Sequence, residues 1–106
     1  MKMQIELSEI VALINQQTTK PVPFVVGESY FIRTVTYYAV GRVARIVGNF
    51  VVLEQAAWVA DSGRWHDALK TGKLNEVEPF VDECIVNVEA IVDATKWRHE
   101  LPMTQC

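Results

Sequence analysis

Arginine and aromatic side chains are the residues of this chain whose types point most directly to a chemical task. Arginine guanidinium groups bind phosphate through paired hydrogen bonds and aromatic rings stack on bases, so together they are typical of nucleotide recognition. No fixed spacing joins them into a motif, and a small β-barrel also needs large side chains in its centre. The candidate ligand-binding residues are Arg33, Tyr37, Tyr38, Arg42, Arg45, Trp58, Arg64, Trp65, Trp97, Arg98 and His99.

Competing interpretations apply to parts of this set. Trp58 and Trp97 are more typical of core packing than of ligand binding, because large apolar side chains fill the centre of a small fold. Tyr37 and Tyr38 are adjacent at a predicted turn or strand end. For this pair, recognition at the surface or at a subunit interface is as well supported as ordinary packing.

Metal binding is not predicted. The potential ligands His66, His99, Cys84 and Cys106 lack the paired short spacings of a structural zinc site. We therefore expect neither a metal nor another cofactor.

Catalytic groups are also hard to assemble from the sequence. His66 and Asp67 are adjacent, so on a helix their side chains point about 100° apart and do not form a dyad unaided. Glu76 and Glu78 share one face of a predicted strand, where acids also protect an edge strand against aggregation. The chain has no glycine-rich phosphate loop and no serine nucleophile elbow. We predict no enzymatic activity, and a small hydrolase using His66 or His99 is the minor alternative.

Charge is unevenly distributed along the chain. The formal net charge is −3, which argues against polymeric nucleic acid as a partner. Residues 29–53 carry only three arginines and no acid, a local charge of +3, whereas residues 76–93 carry six acids and no base, a local charge of −6. This split predicts either steering of an anionic ligand or complementary faces in a homo-oligomer. Ordinary solvated surface is the competing interpretation.

The first half of the chain has a strong β pattern. Strands are predicted over Tyr30–Thr36, Val40–Val47 and Phe50–Leu53, each rich in β-branched or aromatic residues. The intervening Gly48 and Asn49 favour a type II′ hairpin. Gly41 inside the second strand indicates a bulge or a close approach of backbone, which would let a short sheet curl. The pattern predicts a curled meander, close to half of a small barrel.

The second half contains one predicted helix and further strands. The segment 61–63 is expected to cap a helix that ends at Gly72, with Trp65, Ala68 and Leu69 on one face. The remaining strand candidates are residues 76–81, 85–92 and 94–100, with Pro79 confining the first of them to an edge or a bend. The predicted fold is mainly β, a small SH3-like or related β-barrel of five to six strands with one or two short α-helices.

The predicted organisation is a single domain. Residues 1–23 are expected to form a helix from Ser8, a strand over Met3–Leu7, or both, followed by a proline-containing connector. Residues 24–102 form the barrel, and residues 103–106 a frayed tail. The longest uncharged apolar run, Ile46–Leu53, is far shorter than the roughly 20 residues of a membrane helix. The N-terminus lacks the pattern of a secretory signal, and two cysteines make a disulfide framework unexpected, so we predict the cytoplasm.

Four segments carry a resemblance to known proteins, YFIRTVTYYAVGRV, LEQAAWVADSGRW, LKTGKLNEVEPF and IVDATKWRHELP. Together they resemble a family of small phage and prophage proteins of unknown function. The resemblance covers residues 27–102 and leaves the first twenty or so residues outside. It implies a viral product that acts in a bacterial cytoplasm or is carried in a particle, and it implies no catalytic residues.

Two functional hypotheses follow. The first is a non-enzymatic binding protein that sequesters a nucleotide-like anion, such as a signalling molecule of host defence, at a subunit interface lined by the arginine and aromatic set. The second is a structural or protein-interaction module, either a particle component or an inhibitor of a host protein, that uses the same aromatic side chains as interface anchors.

Overall fold

The computed structural model describes residues 22–104. In this part of the chain the fold is mainly β, with six antiparallel strands in one sheet, as the sequence predicts. The elements are β1 (Ser29–Thr34), β2 (Tyr38–Val47), β3 (Phe50–Asp61), α1 (Trp65–Thr71), β4 (Glu76–Pro79), β5 (Cys84–Asn87), a 3₁₀ turn (Val88–Ala90) and β6 (Ile91–Lys96).

The sheet has the strand order β4-β3-β2-β1-β6, and β5 also pairs with β3. Because β3 has 12 residues, its first part pairs with β5 and its last part with β4. The predicted strand Phe50–Leu53 is therefore too short, since pairing with β4 extends β3 to Asp61. Among residues 22–104 no ladder joins β6 to β4 or β5, so closure into a barrel stays a prediction.

Glycines shape the hairpin between β2 and β3. Val47 pairs with Phe50 across a two-residue turn in which Gly48 has φ +56°, as a type II′ turn requires. The register shifts beside Gly41, where a Cβ would lie 2.9 Å from the Cβ of Ala56. The predicted bulge and close approach are therefore confirmed, but the extra residue belongs to β3, at Gln55 with φ +49°.

The helix prediction is confirmed except for its cap. α1 ends at Gly72, whose φ of +79° is the left-handed conformation of a C-terminal stop. The predicted cap by residues 61–63 is wrong, because the Oδ1 of Asp61 accepts a hydrogen bond from the N–H of Gly63 at 2.8 Å. That bond closes the turn before the helix, and Arg64 precedes the first helical residue without a side-chain cap.

Other predicted strand boundaries also differ from the structure: β2 begins at Tyr38 and not at Val40, and β4 ends at Pro79 and not at residue 81. β1 stops at Thr34, because the Thr34 hydroxyl accepts a hydrogen bond from the Tyr37 N–H at 3.0 Å and turns the chain. The predicted strand over residues 85–92 is divided, because the Oδ1 of Asn87 accepts from the N–H of Glu89 at 3.0 Å and starts the 3₁₀ turn. The predicted strand over residues 94–100 begins earlier, at Ile91, and ends at Lys96.

Two hydrophobic clusters lie on opposite faces of the sheet, because neighbouring residues of β1 point to opposite sides. We call them the inner cluster and the helix-side cluster. The inner cluster contains Tyr30, Ile32, Val43, Val51, Leu53, Ala56, Cys84 and Val86. The helix-side cluster contains Phe31, Val40, Ala57, Val59, Val77 and Trp97, with Trp65, Leu69, Leu74 and Leu101 packed against it.

The predicted helix or strand of the first twenty residues and the last two residues of the predicted tail lie outside the described residues. Within the described part, no helix is long and apolar enough to cross a membrane.

Candidate functional site

The helix-side face of the sheet brings together about half of the predicted site residues. β1 and β2 contribute side chains from the sheet, α1 contributes an indole, and the segment after β6 adds two more rings across the same face. The alternation of β2 places Arg42 on the side of Val40, a member of the helix-side cluster. The candidate residues on this face are Arg33, Tyr38, Arg42, Trp65, Trp97 and His99.

Phe31 is the centre of the aromatic packing. It is fully buried, and its ring centroid lies 4.7 Å from Trp65 and 5.8 Å from Trp97. The sequence set did not include Phe31, although strand alternation places it on the same face as Arg33. Trp97 is 4% exposed and its Nε1 donates to the carbonyl of Glu100 at 3.2 Å. Trp97 therefore packs in the core, as its competing interpretation predicts.

Arg33 is already engaged on two sides. Its Nε donates to the Oδ1 of Asp93 at 2.7 Å, and a second guanidinium nitrogen pairs with the other carboxylate oxygen. Its Cζ lies 4.5 Å from the ring centroid of Trp65, within cation–π range. The hydrogen bonds from Arg33 hold the pKa of Asp93 below its usual value. The two-nitrogen fork that would bind a phosphate is thus occupied by a carboxylate of the same chain.

The other two arginines of the sheet are paired in the same way. Arg42 donates from Nε to Glu54 at 2.8 Å and from Nη2 to the Oε1 of Gln55 at 2.9 Å. Arg45 makes two bonds of 2.8 Å to the carboxylate of Glu83, whose pKa is lowered by them. The folded protein therefore separates positive and negative charge less than the sequence does, because the arginines of the basic segment pair with acids from elsewhere in the chain.

The remaining candidates lie apart from this cluster. Tyr37 is half-buried in the turn after β1, and burial raises the pKa of its hydroxyl. Arg64 and Arg98 are exposed, and the structure shows no ion pair for either among the residues it describes. Trp58 is on the opposite face of β3 from Ala57 and is 39% exposed. The expectation that Trp58 packs in the core is wrong.

Trp58 belongs to an exposed apolar surface that the sequence did not reveal. The N–H of Phe80 donates to the carbonyl of Ala56 at 2.8 Å, which continues the ladder between β3 and β4 by one step. Alternation then puts Phe80 on the same face as Trp58. Phe80 is 40% exposed. We call Trp58 and Phe80 the Trp58 surface.

A groove of about 490 Å³ lies beside β6, where the inner cluster reaches the surface. The hydroxyl of Tyr30 accepts a hydrogen bond from the N–H of Val25 at 3.0 Å, and the ring of Phe24 meets Tyr30 edge-on. These contacts hold the chain before β1 against the groove. We call this groove the β6 groove. The residues that line it are Pro23, Phe24, Tyr30, Val88, Ile91, Asp93, Ala94, Thr95 and Lys96.

Among residues 22–104 the structure shows no ion pair between a carboxylate and His66 or His99. The ring Nε2 of His99 is 2.8 Å from the carbonyl oxygen of Leu69. Because a carbonyl oxygen only accepts, the Nε2–H donates this hydrogen bond to the end of α1. Cys84 is buried, and its burial raises the pKa of the thiol. Across residues 22–104 no group of three histidine, cysteine, aspartate or glutamate side chains is placed to hold a metal.

Comparison with known proteins gives no relative. No protein-family model, curated protein or solved structure matches this chain. The resemblance to small phage proteins therefore stays a prediction, and the functional argument depends on the geometry of the molecule itself.

Proposed function

We propose that this protein is a non-enzymatic interaction module that acts by docking on another protein. The observation that carries this proposal is the contrast between its charged and apolar side chains. Each arginine of the sheet is neutralised by a carboxylate of the same chain, whereas the Trp58 surface stays exposed. Large aromatic side chains anchor protein interfaces, and contiguous exposed apolar side chains are typical of such contacts.

The resemblance to phage proteins suggests what kind of protein the partner is. A viral product in a bacterial cytoplasm meets host enzymes and the other components of the particle. Docking on either would use an apolar anchor without any catalytic group. This assignment is part of the proposal and depends on the resemblance.

Sequestration of a nucleotide-like anion is the second candidate. A ligand with two phosphates needs about two arginine forks and a stacking ring. Arg33, Arg42 and Arg45 would each have to exchange a carboxylate for the phosphate, which makes binding weaker. The observation that favours this candidate is the exposure of Arg64 and Arg98, with Tyr38 also 37% exposed.

Site-specific photo-crosslinking tests the interaction proposal. The full-length protein would carry a benzophenone amino acid in place of Phe80 and be irradiated in bacterial cells. We expect one dominant cross-linked polypeptide, identified by mass spectrometry. The matched control places the same group at Ile85, which is 63% exposed and points to the opposite side from the inner cluster. Identical products from both positions, or none from Phe80, would contradict the proposal.

Thermal unfolding with a panel of linear and cyclic nucleotides tests the second candidate. A ligand at 100 times its dissociation constant stabilises the folded state by about 2.7 kcal/mol, a measurable shift in melting temperature. If no nucleotide moves the transition, sequestration loses its support.

A further inference from the structure

β6 leaves one of its edges unpaired within the described part of the chain, because it is the last strand in the order and its ladder partner is β1. The N–H of Trp97 donates to the carbonyl of Ser29 at 2.9 Å, which shows that Trp97 faces β1. Antiparallel ladders alternate, so Thr95 and Asp93 also direct their backbone groups to β1. Ala94 and Lys96 therefore direct their N–H and C=O groups to the open edge.

The side chains of Ala94 and Lys96 share a face with the inner cluster, since they pair with Ile32 and Tyr30 of β1. The β6 groove lies on this side, and its volume falls in the range of roughly 300–1,000 Å³ that ligand sites occupy. Within the described part of the chain, the unpaired backbone groups of Ala94 and Lys96 thus lie beside an apolar groove. The backbone N–H and C=O groups of an extended polypeptide can hydrogen-bond to the unpaired edge. An apolar side chain of the same polypeptide can fill the groove.

The charges at the rim of the groove are neutralised within the chain. The ammonium of Lys96 lies 3.1 Å from a carboxylate oxygen of Glu28, and Asp93 is paired with Arg33. An occupant therefore needs no net charge. It needs a backbone in the extended conformation with an apolar residue at every second position.

We propose that the open edge of β6 takes up an extended, uncharged segment of a partner protein as an added strand, with one apolar side chain in the β6 groove. Strand addition is an established mode of peptide recognition, in which backbone hydrogen bonds provide affinity and pockets select alternate side chains. This inference rests on the proposed function, because it names the kind of segment that an interaction partner supplies.

The geometry of β6 favours a foreign strand over a second copy of this chain. Asp93 pairs with Arg33 and Ile91 with Thr34, so Val92 is an extra residue that bulges from the ladder. Two copies that paired through β6 would each carry this bulge, and both edges would be bent. A foreign strand that is straight has only one bend to accommodate.

NMR titration of the full-length, ¹⁵N-labelled protein tests the inference directly. The probe is a blocked synthetic heptapeptide of alternating threonine and valine. We expect the amide signals of Ala94 and Lys96, and those of Tyr30 and Ile91 in the groove, to shift on addition of the peptide. Unchanged signals would overturn the proposal, as would shifts confined to the Trp58 surface.

Ala94→Pro is the variant that isolates the outward hydrogen bond. Proline removes the Ala94 N–H, which β1 does not use, and edge strands tolerate proline where the N–H faces away from the ladder. The expected result is a dissociation constant raised about tenfold, whereas Ala94→Ser, which keeps the N–H, binds like the wild type. Lys96→Pro repeats the test if Ala94→Pro does not fold. Unchanged affinity in a folded proline variant would overturn the proposal.

The same spectra distinguish a foreign peptide from two other possible occupants of the β6 edge, a second copy of this chain and the chain's own N-terminal segment. Shifts that depend on protein concentration without peptide indicate a second copy, and contacts between residues 1–21 and Tyr30 indicate the chain's own N-terminal segment; either result overturns the proposal. Failure of the peptide titration leaves cross-linking through Phe80 intact, so it is distinguishable from failure of the proposed function.

Discussion

The two hydrophobic clusters of the sheet differ in composition and in how they are covered. The helix-side cluster is rich in aromatic rings, with Phe31 buried beneath Trp65 of α1 and Trp97 of the following segment. The inner cluster is mainly aliphatic, and the β6 groove opens beside its member Tyr30. The aromatic rings of the helix-side cluster thus pack on one another, while the aliphatic cluster meets the β6 groove at Tyr30.

This difference shows that residue type is a weak guide to function in a small β fold. Aromatic rings and arginines suggested a ligand site on the helix-side face, yet most of these rings pack on one another and the arginines bind the chain's own carboxylates. The two surfaces proposed to meet a partner hold few of the candidate residues: the edge of β6 holds none, and the Trp58 surface holds only Trp58.

Truncation of Phe31 should produce the largest effect, because it tests whether the helix-side cluster is a true core. Phe31→Ala removes a fully buried ring and should lower the free energy of unfolding by about 3–5 kcal/mol in urea denaturation. Val92→Ala, at a side chain that is 65% exposed, should change it by less than about 0.5 kcal/mol. Similar losses for both variants would contradict the description of the helix-side cluster as a buried core.

Substitution of Gly41 tests the close approach of β2 and β3 at the inner cluster. The new Cβ of Gly41→Ala would lie 2.9 Å from the Cβ of Ala56, and overpacking of this kind costs about 1–3 kcal/mol. Ala56→Gly removes the opposing atom, so the double variant should recover part of the loss. A double-mutant cycle in urea measures this coupling, and strict additivity would show that the clash is absent.

Acid titration tests the ion pairs at the edge of the helix-side face and should show the smallest effect. Hydrogen bonds from Arg33 lower the pKa of Asp93 from its ordinary value of 3.8 in the folded state. This contribution is present above pH 3.8 and is lost as the pH falls through the lowered pKa. The stability of Asp93→Asn should therefore depend less on pH in this range than that of the wild type.

The control for this titration is Glu89→Gln, which removes an exposed carboxylate that has no described ion pair. Equal pH dependence of the wild type and Asp93→Asn would contradict a native-state pair between Arg33 and Asp93. The measurement is urea denaturation at a series of acidic pH values.

Local signals in the sequence predicted the local parts of the fold. Gly48, Gly41 and Gly72 mark the hairpin, the close approach and the helix end, because each depends on backbone conformation or space at one position. The mainly β class also followed from residue alternation. The extension of β3 beyond Leu53 did not, because it depends on β4, which lies about twenty residues further along the chain.

The candidate site was harder to predict because its decisive contacts are distant in sequence. Arg33 and Asp93 are 60 residues apart, and Arg45 and Glu83 are 38 apart. No pattern in a single sequence shows that these charges meet. The exposure of Trp58 was missed for a similar reason, since the side chain lies where β3 leaves the inner cluster and β4 forms an edge.

Native mass spectrometry of the full-length protein, purified under non-denaturing conditions from bacterial cells that express it, is the most direct test of the proposed function. The account predicts a complex whose added mass corresponds to a second polypeptide, released when the Trp58 surface is made polar by Phe80→Ser. A protein that carries instead an added mass of a few hundred daltons, unaffected by Phe80→Ser, would contradict it and support nucleotide sequestration.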